Sequence, residues 1–163
     1  MPSSVSAFIG LGSNLSDPPQ QVRRAIDKIQ HLDCCSLEQC SSLYETPPMG
    51  PQDQPNYINA VVKIKTSLSP YELLGTLQCL ENQQGRTRDK GRWGARTLDL
   101  DILLYDTLVS QDPTLTLPHP GLPFRSFVLY PLFEIDKNLN IPTFGAIQTL
   151  LERLEDEPPK VVR

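Results

Sequence analysis

A short stretch that alternates apolar and acidic side chains constrains the fold of this chain most. Leu98, Leu100 and Ile102 alternate there with Asp99 and Asp101. Successive side chains of a β-strand point to opposite faces, so the pattern predicts a strand with an apolar face toward the core and both carboxylates on the other face. Aspartate is depleted in strands, and neighbouring carboxylates repel each other. The acidic face therefore needs either solvent or a cation.

A divalent cation is one of two interpretations of this acidic face. Mg²⁺ binds oxygen ligands, usually one or two carboxylates together with substrate phosphates. In the other interpretation, the aspartates are merely solvated on an exposed strand. The pair alone leaves both interpretations open, because short motifs give many false positives.

Length and composition predict a single cytoplasmic domain spanning residues 1–163. Of the 163 residues, 39% are hydrophobic and 21% are charged, which is ordinary for a globular protein. No apolar run approaches the ~20 residues of a membrane span, and the N-terminus lacks the pattern of a secretory signal. The four cysteines have no zinc-type spacing. A net charge of −4 disfavours general nucleic-acid binding, which requires a positive field.

Alternating apolar residues and turn residues predict most of the strands. They are expected at residues 5–11, 36–46, 56–66 and 98–105, with a short one at 115–117. Gly12, Ser13 and Asn14 are expected to form a tight turn after the first strand, because the phosphate-loop and dinucleotide-fold spacings are both missing.

Helical spacing predicts three helices between and after these strands. The first begins at Pro18 behind a cap at Ser16 or Asp17, and the second begins with a capping box from Ser69 to Glu72. Gly85 is expected to end that second helix. The last helix carries the apolar residues Ile147, Leu150, Leu151 and Leu154. Residues 155–163 are expected to be a frayed tail. The element order predicts an α+β fold, a ferredoxin-like βαββαβ sandwich with a C-terminal elaboration.

A stiff loop precedes the third strand. Residues 46–55 contain four prolines and one glycine, which we interpret as a rigid binding loop rather than a mere connector. Tyr57 and Asn59 follow it on one face of the strand. An aromatic ring beside a carboxamide is typical of a binding site for a planar heterocycle, because the tyrosine ring can stack on the heterocycle and the amide can hydrogen-bond its edge.

An arginine-rich loop leads directly into the acidic strand. Residues 85–97 carry five basic side chains against the single acid Asp89, although the whole chain is acidic. Guanidinium groups match phosphate oxygens in geometry and charge. Together with the two aspartates, this loop favours a Mg-nucleotide site over a solvated acidic strand.

These motifs together resemble the 6-hydroxymethyl-7,8-dihydropterin pyrophosphokinase family. The resemblance runs from residues 9–14 to residues 125–129, and residues 92–102 carry its most specific part. It implies transfer of pyrophosphate from ATP to the pterin hydroxymethyl group in folate biosynthesis, with release of AMP. It also implies that Asp99 and Asp101 hold two Mg²⁺ ions, with ATP as co-substrate.

The resemblance assigns the remaining site residues by position. The catalytic set joins two arginines to the two aspartates: Arg86, Arg96, Asp99 and Asp101. The ATP side is lined by Gln78, Glu81, Arg88, Trp93, Arg96, Ile102, His119 and Arg125. The pterin is held by Thr46, Pro47, Met49, Tyr57, Asn59 and Phe127.

Two alternatives stay open beside this resemblance. One is another Mg-nucleotide-dependent transferase, and the other is a non-catalytic ferredoxin-like module that binds RNA or a small ligand. RNA binding on such a sheet requires a positive face with stacking aromatics, whereas this sheet is expected to carry Asp99 and Asp101. We expect a monomer whose partners are small-molecule substrates, with neither nucleic acid nor membrane among them.

Overall fold

An antiparallel sheet forms the centre of the protein. The computed structural model describes residues 4–47, 55–84 and 98–162. Its strands are β1 Val5–Ser13, β2 Cys35–Cys40, β3 Leu43–Thr46, β4 Tyr57–Thr66, β5 Asp99–Tyr105, β6 Ser110–Asp112, β7 Leu115–Leu117, β8 Asn140–Ile141, β9 Gly145–Ala146 and β10 Lys160–Val162. Its α-helices are α1 Pro18–Gln30, α2 Pro70–Gln83, α3 Ser126–Ile135 and α4 Ile147–Arg153.

The six-stranded main sheet places β1 and β4 at its centre. The strand order is β10-β3-β4-β1-β5, and β2 also pairs with β4. All of these pairings are antiparallel. Two small hairpins, β6-β7 and β8-β9, lie outside it. The structure is therefore a mixed α+β fold with four α-helices in the described residues.

Helices cover both faces of the sheet. Apolar residues of α1 and α2 pack with one face of β1, β4 and β5 in a first core cluster. On the other face, α3 and α4 form a second cluster that includes Val61 of β4 and Leu103 of β5. We call this second side the α3 face. It is the face to which Asp99 and Asp101 belong, because Leu100 and Ile102 belong to the first cluster.

The start of α2 is as predicted from its capping box. The Glu72 N–H donates to Ser69 Oγ at 3.2 Å, and the Ser69 N–H donates to Glu72 Oε1 at 2.9 Å. The cap predicted for α1 is wrong in its chemistry: Asp17 is the N-cap residue, but its side chain makes no cap hydrogen bond. Its φ of 63° lies in the left-handed region, whereas a capping side chain usually starts from extended backbone.

The predicted strand 36–46 is interrupted. It forms β2 and β3, which are separated at Ser41 and Ser42. The Ser41 hydroxyl accepts a hydrogen bond from the Val61 N–H at 2.9 Å, so a side chain replaces a backbone acceptor at the break. The first strand, in contrast, extends beyond its predicted end through Ser13.

The predicted frayed tail is also wrong in part. Lys160, Val161 and Val162 pair with β3 in antiparallel register and form the outer strand of the sheet. The short strand at 115–117 and the last helix are confirmed, the latter ending at Arg153. Gly85, the predicted stop of α2, lies outside the described residues, and α2 ends at Gln83. Within the described ranges, no helix has the length and apolarity needed to span a membrane.

Candidate functional site

One row of paired residues crosses four strands on the α3 face. Tyr44 of β3 pairs with Asn59 of β4, Asn59 pairs with Gly12 of β1, and Gly12 pairs with Asp99 of β5. Directly paired residues of an antiparallel sheet point to the same face. The side chain of Asn59 and the carboxylate of Asp99 are thus separated by one residue that has no side chain.

A second row lies beside the first and repeats this arrangement. Val61 pairs with Gly10, and Gly10 pairs with Asp101. Gly10 and Gly12 consequently form a floor without side chains between β4 and β5. We expected Gly12 in a tight turn, and that expectation is wrong, because β1 continues through it. The period-two spacing of the two glycines was the sequence signal that could have placed both on one face.

Gly12 has almost no room for a side chain. A Cβ atom at this position would lie 2.9 Å from Asn59 Oδ1. The Asn59 amide is itself buried, and its Nδ2 donates to Thr46 Oγ1 at 3.1 Å. Glycine therefore lets a fixed amide approach the centre of the sheet.

A pocket of about 460 Å³ opens over this glycine floor. Its volume is typical of a small-molecule site. Nine residues predicted for the site line it together: Thr46, Pro47, Tyr57, Asn59, Asp99, Asp101, His119, Arg125 and Phe127. The structure thus joins an aromatic side, an acidic side and a basic side in one cavity.

The two aspartates fit a magnesium ion better than a closed metal cage. Both line the pocket from β5, and Asp101 is exposed while Asp99 is half-buried. In the described parts of the chain, no group of three or more His, Cys, Asp or Glu side chains is arranged to hold a metal. The pair of carboxylates that the described residues supply suits Mg²⁺, which keeps waters and binds substrate phosphates.

Glu81 contacts the backbone between these aspartates. Its side chain is only 3% exposed, and its Oε2 accepts a hydrogen bond from the Leu100 N–H at 2.8 Å. β5 is an edge strand of the main sheet, so the carboxylate satisfies a backbone donor at that edge. Glu81 does not line the pocket in the described structure.

His119 enters the pocket in one tautomer. Its Nδ1 accepts a hydrogen bond from the Gly121 N–H at 3.0 Å, which places the ring proton on Nε2. Burial lowers the pKa of His119, Asp101 acts in the opposite direction, and the positive charge of Arg125 lowers it further. His119 is therefore a neutral donor at neutral pH.

Arg125 precedes α3 and approaches an aromatic ring. Its Cζ lies 5.8 Å from the centroid of the Phe127 ring, which is within cation-π range. A Cβ atom at Gly121 would lie 2.6 Å from Arg125 Nε, so the glycine gives the guanidinium its space. Arg125 and Phe127 together bring a positive charge and a flat apolar surface to the rim of the pocket.

Several predicted residues lie elsewhere or cannot be placed. Gln78 is exposed on α2, and Ile102 is 3% exposed in the core cluster under the opposite face. Five predicted residues fall outside the described ranges: Met49, Arg86, Arg88, Trp93 and Arg96. Most of the proline-rich loop and all of the arginine-rich loop fall there too, and their roles stay predictions.

Sequence comparison identifies the family that this chain matches. A family model described as 7,8-dihydro-6-hydroxymethylpterin-pyrophosphokinase matches residues 8–137. A 2-amino-4-hydroxy-6-hydroxymethyldihydropteridine pyrophosphokinase of Haemophilus influenzae is 49% identical over 152 residues, which cover 93% of this chain and 94% of that protein. The enzyme of the same name from Pseudomonas aeruginosa is 44% identical, over 88% of each chain.

Longer proteins contain a similar region. Folic acid synthesis protein fol1 of Schizosaccharomyces pombe is 38% identical over 93% of this chain, which corresponds to 21% of that protein. A solved HPPK-DHPS structure of Plasmodium falciparum superposes with a TM-score of 0.75 at 12% identity, covering 94% of this chain and 46% of the other. This chain thus spans less than half of that solved chain, and at such low identity the likeness shows the fold alone.

Proposed function

We propose that the pocket on the α3 face is an active site, because this chain belongs to the 7,8-dihydro-6-hydroxymethylpterin-pyrophosphokinase family. The protein transfers pyrophosphate from ATP to hydroxymethyldihydropterin. The observation that carries the proposal is the row from Asn59 through Gly12 to Asp99. The Asn59 amide, which we assign to the heterocycle, and the Asp99 carboxylate, which we assign to the metal, lie on either side of the position of Gly12. We propose that Asn59 binds the edge of the pterin remote from the hydroxymethyl group, so that this group faces Asp99.

The pterin slot is formed by Tyr57, Asn59 and Phe127. Tyr57 and Phe127 both line the pocket and offer aromatic faces to a flat bicyclic ring. Because Asn59 is held by Thr46, its amide has a fixed direction and can select one hydrogen-bonding pattern on the ring edge. Pro47 lines the same side, and we assign Met49 there by the resemblance alone.

The acidic side would hold magnesium. Asp99 and Asp101 present carboxylate oxygens to the pocket on the side opposite Asn59. We propose two Mg²⁺ ions, which when bound would neutralise the triphosphate and align it with the pterin hydroxyl. Transfer of this kind depends on alignment and charge neutralisation, so no covalent enzyme intermediate is required.

The basic side would bind ATP. The Nε2–H of neutral His119 can donate to a phosphate oxygen, and the Arg125 guanidinium can pair with one. Both line the same pocket as Asp101, whose charge acts on His119. By the resemblance alone, we also assign Gln78, Glu81, Arg88, Trp93, Arg96 and Ile102 to the ATP side, and Arg86 together with Arg96 to the catalytic set.

Three broader features belong to the same proposal. The strand order β3-β4-β1-β5, with α1 and α2 on one face, supports a ferredoxin-like βαββαβ arrangement. We also propose that the protein acts as a monomer and in the cytoplasm. Its partners are then the two small-molecule substrates.

Release of AMP tests this assignment. Purified protein with MgATP and 6-hydroxymethyl-7,8-dihydropterin should yield AMP only when the pterin is present. Asp99→Asn and Asp101→Asn should each lower the rate by at least about 100-fold, because each removes a metal-binding charge. Asp106→Asn provides the matched control, since Asp106 is exposed just beyond β5. Production of ADP, or normal rates in both site variants, would contradict the proposal.

A further inference from the structure

We propose that Glu134 is a positioning residue for the pterin slot, because it ties the helix that carries Phe127 to the strand that leads to Thr46. The inference rests on the proposed function of the pocket. It concerns three residues, Ser42, Tyr44 and Glu134, which we call the clamp. None of them lines the pocket.

The clamp consists of several hydrogen bonds to one carboxylate. Glu134 Oε1 accepts from the Tyr44 hydroxyl at 2.5 Å and from the Ser42 N–H at 3.0 Å. Its Oε2 accepts from the Ser42 hydroxyl at 2.8 Å and from the same N–H at 3.1 Å. These contacts join positions about 90 residues apart in the chain. The start of β3 is thus fixed to the last turns of α3.

In α3, the clamp residue Glu134 lies on the same side of the helix as Phe127, an aromatic residue of the pterin slot. Phe127 and Glu134 are both in α3 and are seven residues apart, so they lie on the same side of the helix. A rotation or shift of α3 about its contact at Glu134 would therefore move the Phe127 ring relative to the sheet. Arg125, at the N-cap of α3, would move with it.

On its sheet side, the clamp is directly next to the pterin amide. Tyr44 is the cross-strand partner of Asn59, and Thr46, two residues further along β3, accepts the Asn59 hydrogen bond. Tyr44 is 7% exposed, so its ring is fixed by burial and its hydroxyl by Glu134. The clamp consequently spans the two sides of the slot, Phe127 on the helix and Asn59 on the sheet.

The ionisation states favour this arrangement. Burial opposes the charge on Glu134, but hydrogen bonds from Tyr44 and Ser42 outweigh it and lower the pKa of the carboxyl. Burial and the Glu134 carboxylate both raise the pKa of Tyr44. At neutral pH the pair is therefore an ionised acceptor and a protonated donor, which is the stronger class of hydrogen bond.

Apolar packing already holds α3 against the sheet. The role of Glu134 can therefore be to position the helix rather than to stabilise the fold. Val128, Leu129 and Leu132 of α3 are buried in the second core cluster. Glu134 itself is exposed and adds little apolar burial. Loss of its carboxylate should thus leave the fold intact and change mainly the orientation of the helix over the slot.

Steady-state kinetics with both substrates test the clamp. Glu134→Ala should raise the KM for the pterin roughly tenfold and the KM for ATP by clearly less, since α3 reaches the ATP side through Arg125 whereas both sides of the pterin slot depend on the clamp. Glu134→Gln keeps an acceptor oxygen and should recover most of the pterin KM. Tyr44→Phe should show a smaller rise, and the double variant Glu134→Ala with Tyr44→Phe should be no worse than Glu134→Ala, because the two residues act through one contact.

The controls separate this inference from the assignment of the pocket. Glu152→Ala changes an exposed glutamate of neighbouring α4 and should leave both KM values unaltered. An unchanged pterin KM in Glu134→Ala, or an equal rise of both KM values, overturns the clamp even when Asp99→Asn behaves as expected. Normal activity in Asp99→Asn and Asp101→Asn overturns the pocket instead. Because Tyr44→Phe keeps the packing but loses the hydroxyl that donates to Glu134, an unchanged pterin KM in this variant overturns the clamp if Glu134→Ala fails to fold.

Discussion

The carboxylate of Glu81 accepts a hydrogen bond from the backbone N–H of Leu100, the residue between Asp99 and Asp101. The bond links α2 to the edge strand that presents both acids to the pocket. A buried donor without its acceptor costs about 1–3 kcal/mol. The spacing and direction of the two carboxylates therefore depend on a residue that does not itself line the pocket.

Replacement of Glu81 should affect stability and the magnesium requirement together. We expect Glu81→Ala to lower the free energy of unfolding by about 1–3 kcal/mol and to raise the Mg²⁺ concentration for half-maximal activity. Glu81→Gln retains an acceptor for the Leu100 N–H and should change both the free energy of unfolding and the Mg²⁺ requirement less than Glu81→Ala. Urea unfolding and Mg²⁺ titration measure the two effects, with Gln83→Ala at the exposed end of α2 as control. A rise confined to the ATP KM would indicate an ATP contact instead.

Gly12→Ala should damage the pterin site specifically. The new Cβ would lie 2.9 Å from Asn59 Oδ1, and the amide cannot move without breaking its bond to Thr46. We expect the pterin KM to rise about tenfold or more, consistent with the loss of one buried hydrogen bond.

Gly10→Ala supplies the comparison for Gly12→Ala within the same strand. The atoms nearest to its Cβ would be those of the Leu103 side chain, at 3.4 Å. Substrate kinetics and a crystal structure of each variant would show whether Asn59 moves. Equal effects of the two substitutions would mean that loss of the open floor, rather than contact with Asn59, is responsible.

Stability should depend on pH through Glu134. The pKa of this carboxyl is below its ordinary value of 4.5 in the folded protein, so the unfolded chain binds its proton first as the pH falls. The stabilisation is complete above the ordinary value and is lost as the pH falls through the folded-state pKa. Wild type should therefore lose more free energy of unfolding than Glu134→Gln between about pH 6 and about pH 3. Parallel losses in urea unfolding at each pH would contradict this expectation, and Glu152→Gln is the control.

Removal of β10 should expose β3 as an edge. Lys160, Val161 and Val162 supply the outer partner of this four-residue strand. A chain that ends at residue 158 should unfold at lower urea and aggregate more readily, because an unpaired strand edge can bind other chains. Hydrogen exchange of the β3 amides would locate the change. Val161→Thr keeps a strand-forming residue at an exposed position and should behave as wild type.

Local chemistry made much of the fold predictable. The capping box of Ser69 and Glu72 needs only residues three positions apart, and the alternation along β4 needs only one strand. The break at Ser41 could not be predicted in this way, because it depends on the Val61 N–H of another strand. The tail was expected to fray for the same reason: its partner β3 is more than 100 residues earlier.

The same distinction between local and long-range contacts explains which parts of the site could be predicted. Period-two spacing placed Asp99 with Asp101 and Tyr57 with Asn59, and the structure brings all four to one pocket. The role of Gly12 depends on the register of three strands, which no single segment encodes. The family comparison, and not the pocket, excludes the two alternatives of another Mg-nucleotide-dependent transferase and a non-catalytic module. Individual roles within the site stay predictions.

The direction of β10 has a consequence for tethering this protein to others. Val162 pairs with Leu43 and Lys160 with Glu45, so the chain leaves β10 at the end of β3 remote from Thr46. A tag, linker or second catalytic domain attached after Val162 would start away from the mouth of the pocket. Fusion at this end of β3 therefore attaches a neighbour three residues away from Thr46, the β3 residue that lines the pocket.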